Sequence, residues 1–285
     1  MHPHLAFRRL ALFFAAYVFS VILTDEATPV EKRAVIILAA VNSLPDDGSA
    51  QAIFIYPNTY SEQVIISRTG QVTSTTNTAS YTENVVTITH SESASAAGSD
   101  EPTATLQVLK DDFALYNVNV KNTIRDSYQE TLLFEQGNQF YGFYYIEGAF
   151  GFIWGQHAFA FFEQCTIASV GAGAVTADGP DSTTDSLFVI NESNLTVSSA
   201  ATSSLAGEVY LGRPWTEFAQ FGPGWEIWST ATPDTEDVLF AEYDSSGPGA
   251  AGARASFSEK LTSNPYTAAD VLGSSWTTWV DSAYA

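Results

Sequence analysis

Cysteine is all but missing from these 285 residues: there is one, Cys165, alongside a single methionine. One thiol excludes an intrachain disulfide framework, and its ordinary role is that of a small buried hydrophobe rather than a reactive group. Basic residues are scarce too, 11 Lys and Arg against 32 Asp and Glu, for a net charge of −21. A surface with that balance neutralises no phosphate backbone, which excludes nucleic acid as a partner. Long apolar runs are also lacking. The longest, over 10–23, is too short for a stable membrane span. No metal-ligand spacing, phosphate loop or Ser-His-Asp motif rises above chance.

What is present is aromatic and β-leaning, with 13% Phe, Trp and Tyr and only 15% charged residues. Arg8 and Arg9 ahead of the apolar run read as a secretory signal over 1–24, with an uncleaved N-terminal anchor as the alternative, leaving one domain over 25–285. The sequons at Asn191 and Asn194 fit secretion. Helical spacing with Pro45 just beyond predicts a helix over 34–44. Strands are predicted over 52–56, 62–66, 85–89, 105–109, 113–120 and 186–197, with a turn at Asn58 and a polar loop over 91–100. The most aromatic stretch, 139–167, alternates large apolar with small or polar residues, as short strands do. Glu147-Gly148 and Gly155-Gln156-His157 are its turn candidates. Short strands without intervening helices are consistent with a sandwich, a barrel or a solenoid, and spacing does not choose among them.

Three ordered blocks carry a resemblance. Tyr128-Gln129-Glu130-Thr131-Leu132, the run YIEGAFGFIWG over 145–155, and Leu211-Gly212-Arg213-Pro214-Trp215 resemble the YQDTL, GxVDFIFG and LGRPW blocks of the pectinesterases, or pectin methylesterases. The likeness is strongest to secreted fungal members. It implies an all-β fold, a right-handed parallel β-helix in which each coil buries its side chains against the next. It also implies hydrolysis of the methyl esters of pectin (homogalacturonan) to pectate and methanol by a secreted, cell-wall-directed monomer that needs no metal or cofactor. A largely esterified polymer suits the acidic surface better than an ionised one.

In the family the Asp of GxVDFIFG is the nucleophile, the Asp of YQDTL the acid and base, glutamines hold the oxyanion, and the Arg of LGRPW keeps the nucleophile ionised. By that correspondence Arg213 is the arginine, Gln129 an oxyanion donor and Trp215 the ring lining the sugar cleft. Glu130 occupies the acid/base position with one methylene more. Gly151 occupies the nucleophile position and supplies no side chain. Glu147 has the strand parity of Gly151 but lies about 13 Å along the chain, so a structural role is expected of it. Asp178 and Asp181 read as solvated turn residues, and His157 as a rim residue.

Only Ile124-Arg125-Asp126-Ser127 separate Thr123 from Tyr128. The family carries a further coil there, with a second oxyanion glutamine in a QAxAL-like motif, and the chain is short again after Trp215. Such losses threaten the register of the stack as well as the site. Three readings follow: a pectinesterase-family protein with impaired catalysis, a working pectinesterase whose reading frame was misassembled at these places, and a non-catalytic pectin-binding protein. A β-helical lyase is disfavoured, because no acidic calcium cluster or lysine base is apparent.

Overall fold

The structure, a computed structural model, describes residues 36–68, 70, 72–75, 81–124, 130–214, 216–221, 230, 231, 234–251 and 253–284. The predicted signal segment, Gln129 and Trp215 lie outside these residues.

The strands follow one another in repeating coils. The chain enters through β1 (Gln51–Phe54) and β2 (Asn58–Ser61). The next coil is β3 (Val64–Ile66), β4 (Val72–Thr75) and β5 (Val86–His90), followed by β6 (Leu106–Leu109), β7 (Phe113–Tyr116) and β8 (Val118–Asn122). Two coils then fuse their first two strands into long ones: β9 (Leu132–Gly142) with β10 (Tyr145–Gly148), and β11 (Ile153–Glu163) with β12 (Thr166–Ser169). After them come β13 (Gly173–Asp178), β14 (Leu187–Asn191), β15 (Asn194–Val197) and β16 (Val209–Pro214). A small separate sheet holds β17 (Gln220–Phe221), β18 (Leu239–Glu242) and β19 (Ser258–Lys260).

All strand pairs among the described residues are parallel, and they form three faces. The first aligns Val64, Leu106, Leu132, Ile153, Thr176 and Gly212 in one row. The second aligns Gln51, Val72, Phe113, Gln139, Ala160 and Phe188. The third aligns Tyr60, Ile88, Val120, Ile146, Ile167 and Leu195. The fold is a right-handed parallel β-helix. Its interior is apolar and aromatic: Phe134, Tyr141, Phe162 and Phe188 are buried and pack ring against ring at 4.4–6.4 Å.

One corner repeats. Asn117, Phe143, Gln164 and Glu192, each linking the second face to the third, have φ of 55°, 53°, 50° and 44°. A single left-handed residue turns the chain there, and the amide of each of the first three donates to a carbonyl one coil on. This is why the predicted strand 113–120 is two strands, and why 186–197 is also two. Gly155-Gln156-His157 is no turn but lies within β11; Glu147-Gly148 ends β10 just before the turn to β11, and a further corner falls at Phe143. Asn58 begins β2 without a left-handed φ. The loop over 91–100 contains a short helix, α2 (Ala94–Ala97).

Both covers of the stack come from chain ends. Helix α1 (Ile36–Ser43) seats Ile37 and Val41 in the core. The buried Glu62 carboxylate accepts from the Ile37 and Leu38 amides, satisfying first-turn donors that have no partner inside a helix. At the other end, α3 (Ala268–Leu272) and the segment after it lie on the outside of the second face. Trp279 is buried, Tyr284 stacks on Tyr116 at 4.2 Å, and the Tyr284 hydroxyl donates to Asn117 Oδ1.

The short link between β8 and β9 does not break the stack. β6 and β7 pair with β9, and β8 pairs with β10, with one irregularity at Val108/Leu109. The expected threat to register is seen only locally: the strands on either side of the link find parallel partners, and the shift between Val108 and Leu109 falls in the pair that meets there.

Asn117 combines a tolerated left-handed φ with the Tyr284 hydrogen bond, so Asn117→Ala is expected to cost about 2–4 kcal/mol in urea unfolding. Gln164→Asn, at the equivalent exposed corner, is expected to gain roughly 0.5 kcal/mol. An unchanged midpoint for Asn117→Ala would contradict this account of the corner.

Candidate active site

Alternation along the first face sends every second side chain outward. Gln107, Leu133, Trp154, Ala177 and Arg213 are successive register partners and form one outer row. Leu133, Trp154 and Ala177 pack with Ala104 into a small buried cluster separate from the interior. Arg213 ends this row, and Glu130 and Gly151 enter it from the turns that precede β9 and β11.

Glu130 is held by groups far away in sequence. Its amide donates to Thr103 Oγ1 at 2.9 Å, and Thr103 Oγ1 lies 3.3 Å from Glu130 Oε2. The buried Asn122 side chain donates to the carbonyls of both Glu130 and Thr103. Burial pushes the Glu130 carboxyl up to about 8, the charge of Asp100 adds to the rise, and Thr103 and Arg213 oppose it. At neutral pH it is a carboxylic acid able to donate a proton.

Gly151 is buried with φ +60°, and its amide donates to the Ala174 carbonyl. A Cβ built on it would lie 3.9 Å from Arg213 Nη2 and 3.8 Å from Ala177 Cβ, so a side chain at this position would start toward the guanidinium. The Arg213 guanidinium lies over the Phe150 ring at 4.2 Å. Phe150 in turn requires Gly173, where a Cβ would sit 1.9 Å from the ring. The structure thus brings Glu130, Gly151 and Arg213 into one region from three separate segments.

Other candidates fall elsewhere. Glu147 belongs to the third face, where it accepts from the Tyr145 and Ser198 hydroxyls and stands 3.7 Å from Lys121 Nζ. Asp178 is not a solvated turn residue. It is fully buried at the end of β13 and accepts from Ser186 Oγ at 2.7 and 2.9 Å. The His157 side chain is exposed, 3.9 Å from Asp181. Cys165 is buried with its thiol pushed up to about 12, chiefly by desolvation. Among the described residues no group of three His, Cys, Asp or Glu is placed to hold a metal ion, and no helix is long and apolar enough to cross a membrane. Thr103, Asn122 and Gly173 went unnoticed in the sequence, since no local signal ties them to Glu130 or Arg213. Phe150 was readable, because it stands where the family block has valine.

A parallel β-helix with a carboxyl group and an arginine gathered on one outer face is the arrangement the three sequence blocks imply. Comparison with known proteins supports it. The pectinesterase family profile matches residues 48–272. A pectinesterase of Aspergillus aculeatus is 42% identical over 279 residues, covering 82% of this chain and 83% of that protein. One from Aspergillus niger is 38% identical, covering 87% and 88%. The crystal structure of the Aspergillus niger pectin methylesterase in deglycosylated form superposes with a TM-score of 0.68 at 32% identity, covering 86% of this chain and 92% of that one. The carrot pectin methylesterase shares the fold, with a TM-score of 0.64 at 21% identity. The chain belongs to the pectinesterase family.

The Glu130 environment has a consequence for stability. The unfolded carboxyl releases its proton near its ordinary value of 4.5, the folded one only near 8. Across that window the unfolded state binds fewer protons, so stability is full below 4.5 and falls as pH rises to about 8, by a few kcal/mol. Glu130→Gln is expected to remove this slope, leaving the variant more stable than the parent at about pH 8 and little changed at about pH 4. Parallel melting curves across that range check it, and identical slopes would refute it.

Proposed function

We propose that this protein is a secreted, pectin-recognising member of its family in which ester hydrolysis is impaired at the nucleophilic step. The observation that carries the reading is Gly151. It bears no side chain at a position where a Cβ would lie 3.9 Å from Arg213 Nη2. In this reading Glu130 is the residual acid, Gln129 the remaining oxyanion donor, Arg213 the cation that once held the nucleophile, and Trp215 the sugar platform. The substrate class is methyl-esterified homogalacturonan, bound by a monomer without metal or cofactor. Neutral ester groups suit a chain of net charge −21 better than ionised ones do.

Parallel pairing of β6, β7 and β8 with β9 and β10 favours impairment confined to the site over a scaffold that fails to form. The family's second glutamine is nonetheless gone with its coil, and one oxyanion donor contributes about 10²–10³ in turnover.

Methanol release from highly esterified pectin tests this directly. The parent chain is expected to fall on the order of 10⁶ below the Aspergillus enzymes, the scale of losing a covalent nucleophile. Gly151→Asp is expected to restore measurable release, still about 10²–10³-fold below them because of the lost donor. Aspartate tolerates the left-handed φ at this position better than most residues. Parent turnover at the level of the relatives would overturn the proposal.

A further inference from the structure

Two N-glycosylation sequons follow one another at the corner between β14 and β15, and the fold uses them differently. Asn191 ends β14. Its side-chain amide donates to Glu163 Oε2 at 2.8 Å, and its carbonyl accepts from Ser193 Oγ at 2.6 Å and from the Gln164 amide at 3.1 Å. Ser193 Oγ in turn accepts from the Cys165 amide at 2.9 Å. The Asn191-Glu192-Ser193 sequon therefore ties its own coil to the one before it. Asn194 stands apart from this network. It begins β15, is exposed, and makes no side-chain hydrogen bond among the described residues. Thr196, which completes its sequon, is exposed as well. A bulky sugar on Asn191 would crowd the Glu163 carboxyl, whereas one on Asn194 displaces only water.

The strand that Asn194 opens has its own difficulty. Among the described residues β15 is an end strand of the third face, and all of Asn194, Leu195, Thr196 and Val197 are exposed. Leu195 continues the row of Tyr60, Ile88, Val120, Ile146 and Ile167, every one of which is buried, yet Leu195 itself is 38% exposed. Val197, with the same strand parity, is 49% exposed. Alternation places Asn194 and Thr196 on the outward side of this strand. An edge strand that shows apolar side chains is a template for pairing with another chain, and proteins blunt such edges with charge or proline. Strand β15 carries neither.

We propose that Asn194, and not Asn191, carries an N-linked glycan, and that this glycan guards the β15 edge against pairing between copies of the chain. The inference rests on the proposed secretion of the protein. The donor is an oligosaccharide joined to a lipid diphosphate. Asn194 Nδ2 loses one proton and bonds to the anomeric carbon of the first sugar. The bond from that carbon to the diphosphate oxygen breaks, the lipid diphosphate leaves with the electron pair, and nothing is oxidised or reduced. Bulk and hydration at the first residue of the strand then keep a second strand from aligning beside Leu195 and Val197.

Peptide mass spectrometry on the full chain tests the site. The chain is expressed in a fungal host, with and without a host secretion leader ahead of Met1. Protein from the medium is deglycosylated enzymatically in heavy-oxygen water, which leaves labelled aspartate wherever a glycan was attached. Label is expected at residue 194 and absent at 191. Asn194→Gln and Thr196→Ala are each expected to abolish the glycan mass, and Asn191→Gln to leave it in place. Secreted protein bare at Asn194, or bearing the glycan on Asn191, would overturn the proposal. Light scattering at rising protein concentration tests the guard. Asn194→Gln is expected to self-associate several-fold more than the parent, and Val197→Lys in that background to reverse the gain by charging the edge. Should Asn194→Gln not reach the medium, parent protein deglycosylated after folding takes its place. Equal self-association with and without the glycan would overturn the guarding role. The secretion reading fails by a different result, appearance in the medium only when the host leader is added.

Discussion

Parallel pairing between successive coils, through a corner that a left-handed residue turns in four of them, is the constraint on which everything else depends. Asn117, Phe143, Gln164 and Glu192 occupy the same bend in consecutive coils, and the amides of the first three reach one coil on. Because the corner recurs at the same place in these four coils, the strands on either side are locked in step. Side chains then alternate inward and outward without drift along all three faces. The aromatic stack of Phe134, Tyr141, Phe162 and Phe188 follows from that lock, since rings at equivalent positions must meet. So does the tolerance of the short link after β8. A solenoid built from equivalent edges can lose a whole coil and reseal, whereas loss of part of one would turn interior residues outward.

The candidate site is a product of the same stacking. Arg213 lies on β16, Glu130 just before β9 and Gly151 just before β11, and only the coil rise brings them together. Their supports are equally scattered. Thr103 and Asn122 fix the backbone of Glu130, and Gly173 makes room for the ring on which Arg213 rests. Burial raises the Glu130 carboxyl to about 8 even though an arginine lies nearby, so desolvation outweighs attraction here. The acidity of the molecule as a whole is thus a poor guide to its cleft, where an arginine faces a neutral acid.

Some of this was legible in the residues alone. The three blocks around Glu130, Gly151 and Arg213, in that order, identify the family, and with it the β-helix. They do so because a catalytic motif keeps residue types at fixed spacing wherever its strand and turn are kept. The single buried thiol, the acidic balance and the helix near residue 36 were also readable from composition and period.

The corners at Phe143 and Gln164 were not legible, because a phenylalanine and a glutamine stand there in conformations usually left to glycine or asparagine, whereas the turn between Gly148 and Ile153 was. Asp178 was misread for a related reason. Its polar, glycine-rich neighbourhood looks like a loop, yet the strand register carries it into the interior, where Ser186 satisfies it. The order of the motifs and the missing side chain at residue 151 were determined by the sequence itself. How the strands pair across the short link after β8, what pushes the Glu130 carboxyl upward, and that a Cβ at Gly151 would lie near Arg213 were decided only by the tertiary structure. Each of these depends on distances between coils, and those distances are set by pairing and packing among residues that lie far apart along the chain.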